Sequence, residues 1–288
     1  MRAVARLLYR RLRPELIVAG GACIGLALAA VALARLLDSA LHQGGLGTWL
    51  QLVPYTREAL IAAPIISGVV VATSLVAGEF EHGTISFAWS TCPNRRHWLA
   101  DVYVAGILVV TVLGLAPALA SASISQVLGP QQDAVWSARP LDGDPMIMVI
   151  SSWVAFGITG AIGVVIRRSL PVLLYGLAVS CLAIGLVEVG FWDWAEGNAV
   201  VIDSSAPGSF YIRSAYVASN GEVLGPNEAA IVAARSGRPI EDMFTPVDLG
   251  LSSTTRLFMI AGTTVSELAV AGLATLVTIA IIDRRQLG

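Results

Sequence analysis

The residue types that could do chemistry are concentrated in one short polar stretch, GEFEHGTISFAWSTCPNRRHW, at residues 78–98. It contains two carboxylates, Glu79 and Glu81, and an arginine pair, Arg95 and Arg96. The stretch interrupts two long apolar segments and carries more charge than anything near it. Carboxylates and guanidinium groups form charge-assisted hydrogen bonds, which suits them to contact with a partner surface.

Sequence patterns of catalysis and of metal binding are absent elsewhere. All 18 basic residues are Arg, so a GxxxxGK[ST] phosphate-binding loop is excluded. No HExxH occurs, which disfavours a zinc-dependent membrane protease. Cys23, Cys92 and Cys181 are far apart and show neither zinc nor disulfide spacing. We therefore predict no catalytic residue, metal or cofactor in this chain. No basic block with interleaved aromatics is present, so no nucleic-acid partner is expected.

The composition indicates an integral membrane protein. Hydrophobic residues make up 56% of the 288 residues and charged residues 13%, whereas soluble domains average about 25% charged. About 20 apolar residues in a helix cross a bilayer core. Six segments are long enough, and we expect an all-α membrane protein with six transmembrane helices. The predicted spans are Leu16–Ala34, Ala59–Gly78, Val102–Leu128, Pro145–Ile166, Ser169–Val187 and Leu257–Ile282.

The distribution of arginines predicts the orientation of these spans. With the N-terminus inside, 11 arginines fall in the inner segments 1–15, 79–101, 167–168 and 283–288. Seven fall in the longer outer segments 35–58, 129–144 and 188–256. This is the positive-inside distribution, and it predicts a multi-pass plasma-membrane protein with both termini in the cytoplasm.

Residues 1–14 predict an amphipathic helix that lies on the inner leaflet. One stripe of this helix carries Arg2, Arg6, Arg10 and Arg13, opposite an apolar face. A basic face above an apolar one suits anionic lipid headgroups. The alternative is that these arginines only set the topology. Pro14 is expected to end the helix and turn the chain into the first span.

The remaining domain organisation follows from the spans. Spans one to five occupy 15–187, a small extracytoplasmic insert occupies 188–256, and the sixth span with a cytoplasmic tail occupies 257–288. In the insert, Asn220–Gly221 predicts the turn of a hairpin. A short helix is expected after it, with Asn227 as its N-cap and Gly237 as its end. The insert has no His or Cys, which excludes a His-dependent triad or a zinc site within it.

One ionisable residue is predicted deep inside a span. Counting back from Asp283 at 1.5 Å per residue places Glu267 roughly 24 Å from the inner end of the sixth span. A carboxyl group at this depth is costly and marks a candidate substrate path. The alternative is a structural Glu267 that bonds Thr263, Thr264 or Ser266, or that reaches the outer interface.

The polar stretch itself is predicted to hold a structured element at 79–98. Gly83 allows a sharp break, and Thr84 can cap a short helix ISFAWS. Asn94 can cap the helix of the third span. Such an element, fixed at both ends by long helices, could transmit the push of a docked partner to two spans. An ordinary amphipathic inner loop explains the same residues equally well.

A family resemblance separates these two interpretations. The run LVAGEFEHGTISFAWSTCPNRRHWLA resembles the signature of ABC type-2 permeases, especially their actinobacterial branch: an acidic pair, Gly-Thr, apolar or aromatic residues, a turn, and Arg before Trp-Leu. The matching residues are Glu79, Glu81, Gly83, Thr84, Trp89, Arg96, Trp98 and Leu99. Asp101 stands where members often have Lys. Ser266–Glu267 resembles, less specifically, a Ser-Glu of the last span.

The resemblance implies a permease of two transmembrane units, identical or different, that pairs with two copies of a separate ABC ATP-binding subunit. ATP would be bound by that partner, and its closure would pass through the 79–98 loop to drive export. Drugs, peptides and lipid-like molecules are the substrate classes that it implies. The residues implied in coupling are Glu79, Glu81, Gly83, Thr84, Arg95 and Arg96.

Two other function classes stay open on the sequence alone. The chain could be a membrane sensor or resistance module that binds an ATPase without transporting. It could also be a membrane enzyme with an outward-facing site in the 188–256 insert, although no nucleophile–base set is recognisable there.

Overall fold

The structure is a computed structural model of the chain. It describes residues 2–43, 51–85, 95–128, 144–202 and 210–284. The long helices are α1 (Arg2–Gln43), α2 (Leu52–Glu81), α3 (Arg95–Leu128), α4 (Pro145–Ile166), α5 (Ser169–Gly197) and α8 (Ser253–Arg284). Two short helices, α6 (Pro226–Ser236) and α7 (Ile240–Met243), lie between α5 and α8.

The six predicted spans are confirmed. Six helices of the described residues are long and apolar enough to cross a membrane, with mean hydropathy between 2.0 and 2.4. Several are longer than the apolar runs alone predict, because polar residues at their ends continue the helix. The second span begins at Leu52 rather than Ala59, and the fifth extends to Gly197 rather than Val187.

The N-terminal segment is helical, but it is not a separate helix. Helix α1 runs without a break from Arg2 to Gln43 and includes Pro14. The expectation that Pro14 ends the helix is therefore wrong. A proline removes one backbone hydrogen bond from a helix, and long membrane helices tolerate this loss. The position of residues 1–14 on the membrane surface stays a prediction.

Helix α4 is the central helix of the bundle, and its span is 72% buried within the chain. Glycines let its neighbours approach it closely. A Cβ added to Gly68 of α2 would clash with the carbonyl oxygen of Ser152, and one added to Gly106 of α3 would clash with the Phe156 ring. Small residues at such crossings are the usual means by which membrane helices pack. Helix α4 therefore packs closely against the backbones of α2 and α3 at these two glycines.

The start of α4 shows why this helix has the bounds that the sequence predicts. Asp144 is its N-cap, and the Asp144 carboxylate accepts a hydrogen bond of 2.9 Å from the backbone N–H of Met146. Pro145 follows at the first helical position, where its missing N–H costs nothing. At the other end, Arg167 adopts the left-handed conformation and ends the helix.

The segment between α5 and α8 belongs to a second compact unit, whose described residues include 189–202 and 210–262. Its four strands are β1 (Val200–Ile202), β2 (Phe210–Ala218), β3 (Val223–Leu224) and β4 (Phe244–Leu251), in the order β1-β4-β2-β3. All three pairings are antiparallel. The sequence predicted one hairpin here, whereas the folded segment is a four-stranded sheet with helices.

The turn and the helix of this unit lie close to their predicted positions. Strands β2 and β3 are joined through Asn220 and Gly221, and Gly221 has a φ of 84°. Helix α6 ends at Gly237, in the left-handed conformation. Its N-cap is Gly225, so the expectation of Asn227 is wrong. Pro226 takes the first helical position, and Glu228 accepts a 3.0 Å hydrogen bond from the Gly225 N–H.

Candidate functional site

Helix α2 widens just before it reaches the polar stretch. Residues Thr73–Ala77 form one turn of π-helix, and four of these five residues are buried. A Cβ on Gly163 of α4 would lie 3.3 Å from Val76 and 3.4 Å from the Ala77 nitrogen. The widened turn therefore packs directly on α4. Single π-helical turns inside α-helices occur frequently at functional sites.

The first carboxylate of the stretch points into the protein. Glu79 is only 7% exposed, and its side chain accepts a 2.5 Å hydrogen bond from the Thr84 hydroxyl. A buried carboxylate is costly unless it is hydrogen-bonded. This contact joins the end of α2 to the residues after the turn. Thr84 and Ile85 are helical, while the rest of the predicted ISFAWS helix lies outside the described residues.

Between these two residues, the chain reverses through His82 and Gly83. The N–H of His82 donates to the carbonyl of Gly78 at 3.1 Å, and the N–H of Gly83 donates to the carbonyl of Phe80 at 3.2 Å. Gly83 has a φ of 69°, and a Cβ there would meet nothing within 4 Å. Conformation, rather than space, is thus the reason for glycine at this position.

The second carboxylate binds a different helix. Glu81 is exposed, and its Oε2 accepts a 2.8 Å hydrogen bond from the backbone N–H of Ser169, the first residue of α5. The first N–H groups of a helix have no partner within the helix. Negative charge at this end is also favoured by the helix dipole. Glu81 therefore caps α5 from the end of α2.

A second contact joins the same two places. The Arg167 guanidinium lies over the Phe80 ring, 5.2 Å from its centroid. Arg167 has a φ of 59° and is the one non-glycine with positive φ among the described residues. This conformation costs an Arg about 1 kcal/mol, whereas an exposed cation–π contact stabilises by about 0.5–1 kcal/mol. The cation–π contact of Arg167 with Phe80 therefore roughly offsets the free-energy cost of the left-handed conformation of Arg167.

The far end of the polar stretch is anchored in the bundle core. Trp98 and Leu99, the Trp-Leu pair of α3, are 5% and 2% exposed. They belong to one hydrophobic cluster with Leu75 of α2, Ile85 and Ile282 of α8. The predicted coupling pair Arg95–Arg96 lies in the first turn of α3, and the side chains of this pair lie outside the described residues. Residues 86–94 also lie outside them.

Glu267 lies apart from this region, within α8. It is 1% exposed, and the Ser151 hydroxyl of α4 donates to its two carboxylate oxygens at 3.1 and 3.2 Å. The structural alternative named Thr263, Thr264 or Ser266 of its own helix, or the outer interface, and it did not include the hydrogen bond from Ser151 of α4. The structure thus brings Glu79, Glu81, Gly83 and Thr84 together and does not bring Glu267 to them.

Sequence reasoning missed three residues of the site. Phe80 was given no role, Ser169 was taken only as the start of the fifth span, and Arg167 was taken only as a mark of the inner turn. The contact of Arg167 with Phe80 joins residues 87 positions apart, so no local spacing reveals it. A signal for Arg167 was the absence of Gly between two long helices, since a tight turn usually needs one.

Sequence reasoning also took the residues around Arg57 as a loop, whereas they are helical. Arg57 lies in the second turn of α2 and is 6% exposed. The helix begins seven residues before the apolar run that predicted it. A charged residue near the end of a span was taken as a boundary, although burial against other helices allows it inside.

The remaining predictions concern the N-terminal arginines and the absence of a metal site. The backbone of Arg2, Arg6, Arg10 and Arg13 is helical, while their side chains lie outside the described part. Within the residues that the structure describes, no group of three or more His, Cys, Asp or Glu could hold a metal ion. Cys23 is buried and Cys181 is exposed, and both are free thiols.

Comparison with known proteins gave one match. A family model described as ABC-2 membrane transporter related matches residues 39–192, just over half of the chain. The match includes the polar stretch and the turn at 167–168. Neither the curated proteins nor the solved structures gave a match.

Proposed function

We propose, on the premise that this chain belongs to the ABC-2 membrane transporter related family, that it is the permease subunit of an ATP-driven exporter. Two such permease chains, identical or different, pair with two copies of a separate ABC ATP-binding subunit. That subunit binds and hydrolyses ATP, since a P-loop is excluded here by the absence of lysine. The substrate class in this proposal is amphipathic: a drug, a peptide or a lipid-like molecule.

The observation that supports this proposal is that the described residues at both ends of the polar stretch are held against the helices. Glu79 and Thr84 close the turn onto α2, and Trp98 and Leu99 fix the other end in the core. A partner that pushes on the stretch would therefore move α2 and α3 together. A loosely solvated loop would absorb the same push without moving either helix.

The coupling residues in this proposal divide into two groups. Glu79, Gly83 and Thr84 shape the element, because their contacts are internal to it. Arg95 and Arg96, at the start of α3, would meet the partner or the inner membrane boundary. Glu81 lies beside the residues of the first group, but its contact is with α5 and not within the element.

The remaining assignments follow the predicted orientation. Both termini lie in the cytoplasm of a plasma-membrane protein, and the segment between α5 and α8 lies outside. The arginines of the first α1 turns, Arg2, Arg6, Arg10 and Arg13, bind anionic lipid headgroups at the inner leaflet. Glu267 lies on the substrate path. When α4 and α8 separate, its carboxyl group can exchange the Ser151 hydroxyl for a hydrogen-bond donor of the substrate.

The test is purification of the full-length chain with the ATPase encoded beside it, followed by ATPase assays in lipid nanodiscs. We expect a stable complex whose ATPase rate differs from that of the ATPase subunit alone. A chain that captures no Walker-motif ATPase contradicts the proposal. A stable complex that exports no amphipathic compound from vesicles contradicts the export part and favours a sensor.

A further inference from the structure

We propose that the turn between α4 and α5 is a second output of the coupling stretch, with Arg167 as its positioning residue. The inference rests on the proposed function and deepens it. In the simpler view, a partner acting on residues 79–98 moves the two helices that flank this stretch, α2 and α3. The contacts at Arg167 and Ser169 extend the movement to α4 and α5.

Two independent contacts link the end of α2 to this turn. The Phe80 ring lies under the Arg167 guanidinium, and the Glu81 carboxylate accepts the Ser169 N–H. One contact holds Arg167, directly after α4, and the other holds Ser169, the first residue of α5. Because the contacts differ in chemistry, they can be removed separately.

The left-handed conformation of Arg167 indicates that its side chain does more than form the turn. Left-handed ends of helices are usually glycine, which adopts them without strain. Non-glycine residues held in such conformations cluster at functional sites. Here an arginine takes the strained position, and its guanidinium covers a side chain of the coupling stretch. An arginine that served only the turn or the membrane boundary would not need this partner.

The helix that ends at Arg167 also reaches the buried carboxyl group. Ser151, which donates to Glu267, lies on α4, 16 residues before Arg167. At 1.5 Å per residue this is roughly 24 Å along the helix axis. Helix α4 is mostly buried and closely packed, so a shift at its end is carried along it as a rigid body. The turn thus connects the coupling stretch with the Ser151–Glu267 contact.

The experiment compares matched variants in the complete complex. Arg167→Gly keeps the left-handed turn, relieves its strain and removes the side chain that carries the guanidinium. Ser169→Pro removes the N–H at a position where a helix tolerates proline. The controls are Phe80→Tyr, which keeps an aromatic face under the guanidinium, and Ser169→Thr, which keeps both the N–H and the hydroxyl that face Glu81.

The readout is a distance at the other end of the bundle. Spin labels are placed at the exposed residues Tyr55 of α2 and Met146 of α4, in a chain whose cysteines are replaced by alanine. The distance between the labels is measured before and after addition of MgATP and vanadate. Thermal unfolding of each variant is measured in parallel.

We expect the wild-type complex to shift this distance and both controls to retain the shift. Arg167→Gly and Ser169→Pro reduce the shifted population roughly two- to fivefold, which corresponds to loss of one weak contact. Arg167→Gly does so with unchanged or higher thermal stability, which a purely structural role would not produce. Full retention of the shift in both variants overturns the inference. A wild-type complex that shows no shift contradicts the proposed function instead.

Discussion

The Ser151 hydroxyl of α4 lies between the two carboxylate oxygens of Glu267 of α8, 3.1 Å from one and 3.2 Å from the other. Glu267 is 1% exposed, so the Ser151 hydroxyl contacts a carboxyl group that is buried within the chain. The contact joins two helices that are 116 residues apart in sequence. A buried carboxyl group inside a membrane helix is costly, which makes Glu267 a candidate functional residue.

The first prediction separates the charge of Glu267 from its structural contact. Glu267→Gln keeps an oxygen that accepts from Ser151, so we expect insertion and thermal stability close to wild type. Export of amphipathic compounds by the assembled transporter should fall, because the amide cannot carry the negative charge or the proton. Ser151→Ala is the matched variant: it leaves a buried carboxyl group without its donor and should destabilise the protein by about 1–3 kcal/mol. Equal export by wild type and Glu267→Gln would show that the charge of Glu267 serves no function.

The second prediction concerns the two carboxylates of the coupling stretch, which the structure distinguishes. Glu79→Ala removes a buried carboxylate together with its hydrogen bond from Thr84, and it should lower the free energy of unfolding by about 1 kcal/mol. Glu81→Ala removes an exposed group and should leave the unfolding temperature unchanged. Both variants should lose the effect of the permease on the ATPase rate of its partner.

Glu81→Gln is the control for this pair. Its amide oxygen still accepts the Ser169 N–H, so we expect most of the ATPase response to be retained. If Glu81→Ala keeps the full response in nanodiscs, this carboxylate is only a solvated helix end.

The third prediction tests the turn at Gly83. Its φ of 69° is strained for any residue with a Cβ, although a Cβ there would meet nothing within 4 Å. Gly83→Ala should therefore destabilise the protein by about 1 kcal/mol. Gly83→Asn should cost less, because Asn adopts left-handed conformations more readily. Circular dichroism during heating measures both. An equal effect of Ala and Asn would mean that the left-handed conformation is not what this position requires.

The fourth prediction tests the close approach of α2 and α4. Gly68→Ala places a Cβ against the Ser152 carbonyl oxygen, which is backbone and cannot rotate away. We expect a loss of about 1–3 kcal/mol in the free energy of unfolding. Gly185→Ala in α5 is the control, because a Cβ there meets nothing within 4 Å, and alanine should be neutral or stabilising. Similar stability of the two variants would contradict the packing at Gly68.

Some features of the site could be predicted from the sequence, and others could not. Gly83 and Thr84 were predictable because turns and short-range hydrogen bonds depend on residues a few positions apart. The contact of Phe80 with Arg167 was not, because it depends on how α2 lies beside the end of α4. The contact of Glu267 with Ser151 was not predictable for the same reason, because Ser151 lies on another helix, 116 residues away in the sequence.

The sequence by itself determined that this is a membrane protein of six helices, because bilayer thickness sets the length of an apolar span. It also located the polar stretch and its family resemblance, since both are properties of contiguous residues. Only the tertiary structure decided that α4 is the central helix, that Glu79 is buried while Glu81 reaches α5, and that Arg167 covers Phe80. These are outcomes of helix packing, in which small residues such as Gly68 and Gly106 set how closely the helices approach. Packing joins residues far apart in the chain, and neither composition nor periodicity contains that information.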